Sequence, residues 1–306
     1  MDYMTTKEAE NIWHISERRI RKLLQEGRIE GTKKVGKSWL IPKDANKPVD
    51  KRNSKDLTVT FNIPNDYFSE VDKLNKKLNS LRPLPKAALN SLKESINLEW
   101  IYNSNGIEGN TLTLKETKVV LEGITVGGKS LKEHLEVINH ENAIQFLEDL
   151  IKDKEPISEW NIKNIHQLIL RGIDDKNAGK YREENVRITG AEHIPPDYLM
   201  VRELMEKLIS NYKEWDRYHP IIKASLLHGE FVKIHPFIDG NGRTARLLMN
   251  LSLMNSGYLP IIVKKEDRLV YYNALDKAHT TNDYTDFIKI INDLEIEMIK
   301  RFENLI

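Results

Sequence analysis

The stretch His235-Pro236-Phe237-Ile238-Asp239-Gly240-Asn241-Gly242-Arg243-Thr244-Ala245-Arg246 decides how the chain is read. It holds a titratable base, a carboxylate, a Gly-Asn-Gly loop and two arginines three positions apart. The apolar run Leu247-Leu248-Met249-Asn250-Leu251-Ser252-Leu253-Met254 follows at once and predicts a buried helix. The glycines then fall at that helix's N-terminus, where free backbone N–H groups and the positive dipole end form an anion site. Arg243 and Arg246, one turn apart, can face a single ligand. Arginine at a helix start opposes the dipole and needs a local reason to be there; a polyphosphate supplies one. Without that reason, the same residues are a turn before a core helix, with solvated arginines. A Walker A loop and a GxGxxG fingerprint are both absent.

Residues 235–246 fill every fixed position of His-Pro-Phe-x-Asp/Glu-Gly-Asn-Gly-Arg-x-x-Arg, and so resemble the Fic family signature. The resemblance covers most of residues 60–300. It implies a mainly α fold, a helical bundle with a β-hairpin flap. It also implies a protein adenylyltransferase, which moves AMP from ATP to a Ser, Thr or Tyr hydroxyl of a target protein. That reaction needs a base, charge neutralisation and alignment. His235 suits the base, because its ordinary pKa lies near neutrality, and Pro236 restricts its backbone. Asp239 suits Mg²⁺, or it caps the following helix; both roles stay open. Gly240, Asn241 and Gly242 would offer N–H groups to the α- and β-phosphates. Asn241 would act beside His235 in catalysis, as a side-chain donor to charge developing at the α-phosphate. Arg243 would hold the β-phosphate and Arg246 the γ-phosphate. Phe237 reads as a core anchor. By likeness, Tyr271, Tyr272 and Leu275 match the adenine-side wall.

Two further segments take their meaning from the same resemblance. Residues 179–196 resemble the family's flap, with Val186, Arg187, Ile188, Thr189 and Gly190 holding a target by strand addition. On residues alone they read as an ordinary surface hairpin. Ser104-Asn105-Gly106-Ile107-Glu108-Gly109 places Ser104 and Glu108 on one helical face, in a short helix weakened by Gly and Asn. That segment, 104–109, resembles the family's inhibitory motif, in which the glutamate pairs with the second arginine and blocks the γ-phosphate. Here the pair would be Glu108 and Arg246. Glu108 aligning water for AMP removal is left open, as is another nucleotide donor.

Outside these segments, apolar residues recur at helical spacing in 66–80, 87–103, 115–122, 130–151, 158–170, 201–213, 220–232, 243–256, 267–278 and 284–304. Strand signals are few: Thr58 to Ile63, and Val186 to Pro195. A length of 306 residues and 40% hydrophobic composition suit one large unit and one small one. No apolar run approaches the ~20 residues of a membrane span. Met1 to Lys7 lacks the apolar core of a secretory signal, so a cytoplasmic location is the default. The chain has no cysteine, which excludes disulfides, thiolate zinc sites and thiol nucleophiles.

Net charge of +1 hides an asymmetry: residues 1–54 carry 13 Lys/Arg against 8 Asp/Glu, and the remainder 34 against 38. Two units with different partners are expected. Thr5-Thr6-Lys7-Glu8 is a capping box opening a helix to about Ile12. Ser16 caps a second helix, Glu17 to about Gln25, which Gly27 stops. Short β-like runs, Ile29 to Lys34 and Ser38 to Ile41, flank Val35-Gly36-Lys37. This layout over 1–45 is similar to winged helix-turn-helix modules of the excisionase and MerR type. Arg18, Arg19, Arg21 and Lys22 are the candidates for DNA contact, with Lys33, Lys34 and Lys37 on phosphates. A basic protein-interaction module fits the same residues, and a DNA-binding regulator with a Fic body is the alternative function. Residues 46–57 read as a linker, and 58–306 as the Fic domain. A homodimer follows from family likeness only.

Overall fold

The computed structural model describes residues 3–303 except 14, 26, 28, 30, 37, 44, 46–58, 65 and 81–85. The chain divides into two compact units, Met1–Thr58 and Val59–Ile306. The predicted linker, 46–57, and Lys37 lie outside the described residues.

The small unit orders its elements as β1 (Tyr3–Thr5), α1 (Thr6–Trp13), α2 (Glu17–Gln25), β2 (Lys33–Val35) and β3 (Ser38–Pro42). Thr5 Oγ1 accepts the Glu8 N–H at 3.2 Å while Glu8 Oε2 accepts the Thr5 N–H at 2.7 Å, so the predicted capping box forms. Gly27, at φ 66°, takes the left-handed turn that ends α2. The strands form an antiparallel sheet of order β1-β3-β2, with Met4 opposite Ile41 and Lys34 opposite Trp39. β1 escaped the sequence reading because three residues are too few to show a period. Met4, Ala9, Trp13, Ile20, Leu23, Leu24, Ile29 and Ile41 form this unit's own core.

The large unit is helical: α3 (Ser69–Ser80), α4 (Lys86–Ile107), α5 (Leu114–Leu121), α6 (Leu131–Lys152), α7 (Glu159–Leu170), α8 (Val201–Glu214), α9 (Pro220–Ile234), α10 (Asn241–Asn255), α11 (Arg268–Thr281) and α12 (Thr285–Glu303). Capping boxes at Thr113/Glu116 and Ser130/Glu133 fix the starts of α5 and α6. α10 is buried on all sides from Arg243 to Leu253, as its unbroken apolar run predicts. α9 packs beside it. There Gly229 lets the Tyr284 ring approach so closely that a Cβ would stand 2.3 Å from it.

Three expectations need correction. The strand expected over Thr58 to Ile63 reduces, among described residues, to one parallel bridge between Thr60 and Asp283. The hairpin expected over Val186 to Pro195 does not form; that segment is a loop with a turn at Thr189-Gly190. Its N–H groups have other partners, since Asp276 accepts from both Glu192 and His193, and Pro195 and Pro196 have none to donate. Residues 104–107 are not a separate short helix but the last turn of α4.

Candidate active site

The loop between α9 and α10 is built around His235. It ends α9 with φ 51° and ψ 61°, a left-handed conformation worth roughly 1–3 kcal/mol of strain in a non-glycine residue. Its N–H donates to Phe231 O at 3.0 Å. Nδ1 lies 3.3 Å from the Val232 carbonyl, which can only accept, so Nδ1 carries the proton and Nε2 holds a lone pair. Burial pushes the imidazole down to about 4, leaving it neutral near pH 7.

Phe237 is the predicted anchor: it is fully buried and stacks on His166 of α7, ring centres 3.6 Å apart. Asn241 closes the loop onto itself. Its Oδ1 accepts the Phe237 N–H at 3.0 Å and its Nδ2 donates to Phe237 O at 2.9 Å. The carboxamide therefore shapes the loop from within. Gly240, at φ 74°, precedes α10 and supplies no side-chain cap, so the first-turn N–H groups are left without a capping side chain.

The two arginines are both buried yet face different partners. Arg246 Nε donates to Ser104 Oγ at 3.0 Å, and Nη2 to both Ser104 O and Glu108 Oε1 at 2.8 Å. Glu108 Oε1 would stand 2.3 Å from a Cβ on Gly242, so the carboxylate lies directly over the first turn of α10. It occupies the place an anion would take. Arg243 turns into the bundle, with Nη1 3.4 Å from Glu136 Oε1 of α6 and Nη2 3.8 Å from Asp239 Oδ1. The Asp239 carboxylate is 52% exposed and accepts its own chain's Gly240 N–H at 2.6 Å. No group of three metal-ligating side chains occurs among the described residues.

On α11, Tyr271 and Leu275 are buried, with Tyr271 beside the Arg246 guanidinium. The Tyr271 hydroxyl is 2.7 Å from His228 Nε2. Tyr272 stays on the surface with its hydroxyl 3.5 Å from Ile107 O, beside the Glu108 turn. The loop holding Val186, Arg187, Ile188, Thr189 and Gly190 is fastened beyond them, where His193 Nε2 donates to Lys233 O at 2.9 Å.

In the small unit Arg18, Arg21 and Lys22 lie exposed along α2, with Arg21 paired to Glu17 at 2.8 Å. Arg19 lies on the same helix. Lys33 and Lys34 are exposed on β2 and sit over the Tyr3 and Trp39 rings.

Three residues that build the site gave no signal in the sequence. His166 Nδ1 accepts the Gly179 N–H at 2.9 Å, so its Nε2 carries the proton it donates to Asp239 O, also at 2.9 Å. Glu136 reaches Arg243 with one oxygen and accepts from Asn110 Nδ2 with the other at 2.9 Å. Arg182 donates to the carbonyl of His235 itself.

Comparison with known proteins bears on this geometry. A family model described as "Fic/DOC family" matches residues 156–253, and one described as "Helix-turn-helix domain" matches 3–45. The chain is similar to "Protein adenylyltransferase Fic" of Nematostella vectensis, 38% identical over 72% of this chain and 52% of that relative. It spans about half the length of the curated relatives it matches. Among solved structures it is similar to a Fic domain containing signalling protein from Bacteroides thetaiotaomicron (TM-score 0.70, 30% identity, 76% of this chain and 94% of that one). A second is Fic-1 (aa134–508) from C. elegans (TM-score 0.69, 33% identity, 78% and 71%).

Proposed function

The chain belongs to the Fic/DOC family, and on that footing we propose that its large unit transfers AMP from ATP to a hydroxyl of a target protein. What carries the reading is the juxtaposition of a neutral histidine, open at Nε2, with an uncapped helix N-terminus five residues further along. The target oxygen bonds to the α-phosphorus, the bond to the β-phosphate bridge breaks, and pyrophosphate leaves. His235 Nε2 takes the hydroxyl proton. First-turn N–H groups of α10 receive the phosphates, and Asn241 keeps those groups in register. Arg246 is the cation for the terminal phosphate. Glu108 now holds that guanidinium, so this protein is autoinhibited, and carboxylate and phosphate compete for it.

Asp239 would hold Mg²⁺, its exposed carboxylate fitting an ion that keeps phosphate and water ligands. Bound there, the ion supplies charge neutralisation to the phosphates. No described helix is long and apolar enough to cross a membrane; a cytoplasmic location is our reading. A second copy of the chain as partner rests on family likeness.

Label transfer from ATP marked at the α-phosphate tests the proposal in the wild type, Glu108→Gly and Glu108→Gly/His235→Ala. Label on protein should rise in the single variant and vanish in the double one. None in any variant, with a cell lysate as target source, would demote the enzyme reading. Exposed Arg18, Arg21 and Lys22 on α2 support DNA as the partner of the helix-turn-helix unit. Full-length protein should then bind duplex DNA with an affinity that falls steeply with salt; no binding at low salt leaves a protein-interaction module.

A further inference from the structure

Arg182 is 3% exposed, and its guanidinium faces backbone carbonyls. Nε donates to His235 O at 2.8 Å, Nη1 to Glu184 O at 2.9 Å, and Nη2 to Pro196 O at 2.5 Å and Ile234 O at 3.5 Å. Its own backbone N–H donates to Pro236 O at 2.9 Å. These acceptors fall into two sets. Ile234, His235 and Pro236 are the end of α9 and the loop that carries the base. Their carbonyls are those a helix terminus leaves unpaired, and a cation suits that end of the dipole. Glu184 and Pro196 are the two ends of the loop bearing Val186 to Gly190. One rigid, five-donor fork therefore ties the base's own peptide to both ends of that loop.

We propose that Arg182 is a positioning residue for AMP transfer, locking His235 and the loop that presents the target hydroxyl into one fixed relation. This rests on the transfer reading above. The left-handed backbone of His235 persists only where its surroundings over-determine it, and Arg182 holds its carbonyl together with those of Ile234 and Pro236. The nucleotide's own groups, on the first turns of α10, lie beyond this clamp. Losing the fork should thus spoil alignment of hydroxyl and base while leaving nucleotide binding in place.

The test compares Arg182→Lys and Arg182→Gln, each combined with Glu108→Gly, in the full chain. Lysine keeps charge and length but cannot span four carbonyls. Label transfer from α-labelled ATP to lysate protein, per folded molecule, should fall about tenfold or more, as misplacement of reacting groups does. Affinity for a fluorescent ATP analogue should stay within about twofold, because the phosphate-binding N–H groups are untouched. Transfer and nucleotide affinity falling together, or neither falling, overturns the proposal. If Glu108→Gly alone transfers no label, the functional reading fails and takes this inference with it. A second measurement needs no variant: amide exchange should find Arg182, Glu192 and His193 protected, their N–H groups being held by Pro236 and Asp276. Rapid exchange at all three means the loop is not anchored, and the proposal falls.

Discussion

Glu108 Oε1 and Arg246 Nη2 meet at 2.8 Å although 138 residues of chain separate them. The carboxylate lies at the N-terminus of α10, against the backbone of Gly242 and within the field of the helix dipole. It pairs there with a guanidinium that a phosphate could pair with instead. On the proposed function this is inhibition by occupation, and its strength can be measured by removing the occupant.

Glu108→Gly should raise AMP transfer at subsaturating ATP by roughly tenfold to a hundredfold. That is the range for a charge-assisted hydrogen bond of ~1.5–3 kcal/mol. Glu108→Gln, which can still reach Arg246 but without charge, should fall between. Initial rates of label incorporation decide it, and equal rates in all three proteins would remove the brake from the account.

The pH dependence of transfer by the Glu108→Gly variant should be flat on its acid side down to about pH 5. Burial holds the His235 imidazole at about 4, and the neutral form is the base, so activity is lost only as pH falls through that value. An acid limb near 6.5 in kcat/KM would show a solvated histidine instead.

Acid should destabilise the fold before it reaches ordinary carboxylates. Burial pushes His166 to about 4 and His279 to about 3, and holds His140 and His228 well below their usual value of 6.5. The unfolded chain protonates all four while the folded chain does not. Their stabilisation is complete above pH 6.5 and drains away toward pH 4, at about 1.4 kcal/mol per pH unit for each proton taken up. Glu295 opposes one of the four: burial lifts its carboxyl to about 8, so its stabilisation fades as pH rises from 4.5 to 8. Urea unfolding at pH 7 and pH 5 should show a net loss of several kcal/mol; equal midpoints would contradict it.

Removing Glu136 should cost stability more than chemistry would suggest. Arg243 is buried with Glu136 as its nearest acid, and loss of one member leaves an uncompensated charge. Glu136→Leu should destabilise by about 3–5 kcal/mol. A change under ~1 kcal/mol would mean that Asp239 alone balances Arg243.

The motif was legible because its chemistry is contiguous: base, glycines and arginines fall within twelve residues, from the end of α9 to the second turn of α10. The position of Glu108 was legible through family likeness, its distance from Arg246 was not. Arg182 could not be found, since its partners are carbonyls that every residue possesses. His166 acts on a peptide 73 positions away. The burial of Tyr271 had a signal in plain view. Tyr271, Ala274, Leu275 and Ala278 keep the i, i+3, i+4, i+7 spacing of a buried stripe, which leaves Tyr272 as the outward ring. The hairpin failed differently. Val186 and Ile188 alternate as a strand should, but alternation does not say whether a partner strand exists.

Ser104 holds Arg246 through both its hydroxyl and its carbonyl, independently of Glu108. Releasing the brake therefore requires neither α4 to melt nor Arg246 to move, only the Glu108 side chain to swing toward the solvent it already partly meets. Rotations of exposed side chains take picoseconds to nanoseconds, and even slowed by the ion pair this one needs none of the microseconds to seconds of local unfolding. Inhibited and open molecules would exchange many times within one catalytic cycle. The output would then behave as a dimmer set by the local concentration of competing anions, with no slow activation phase and no change in helix content.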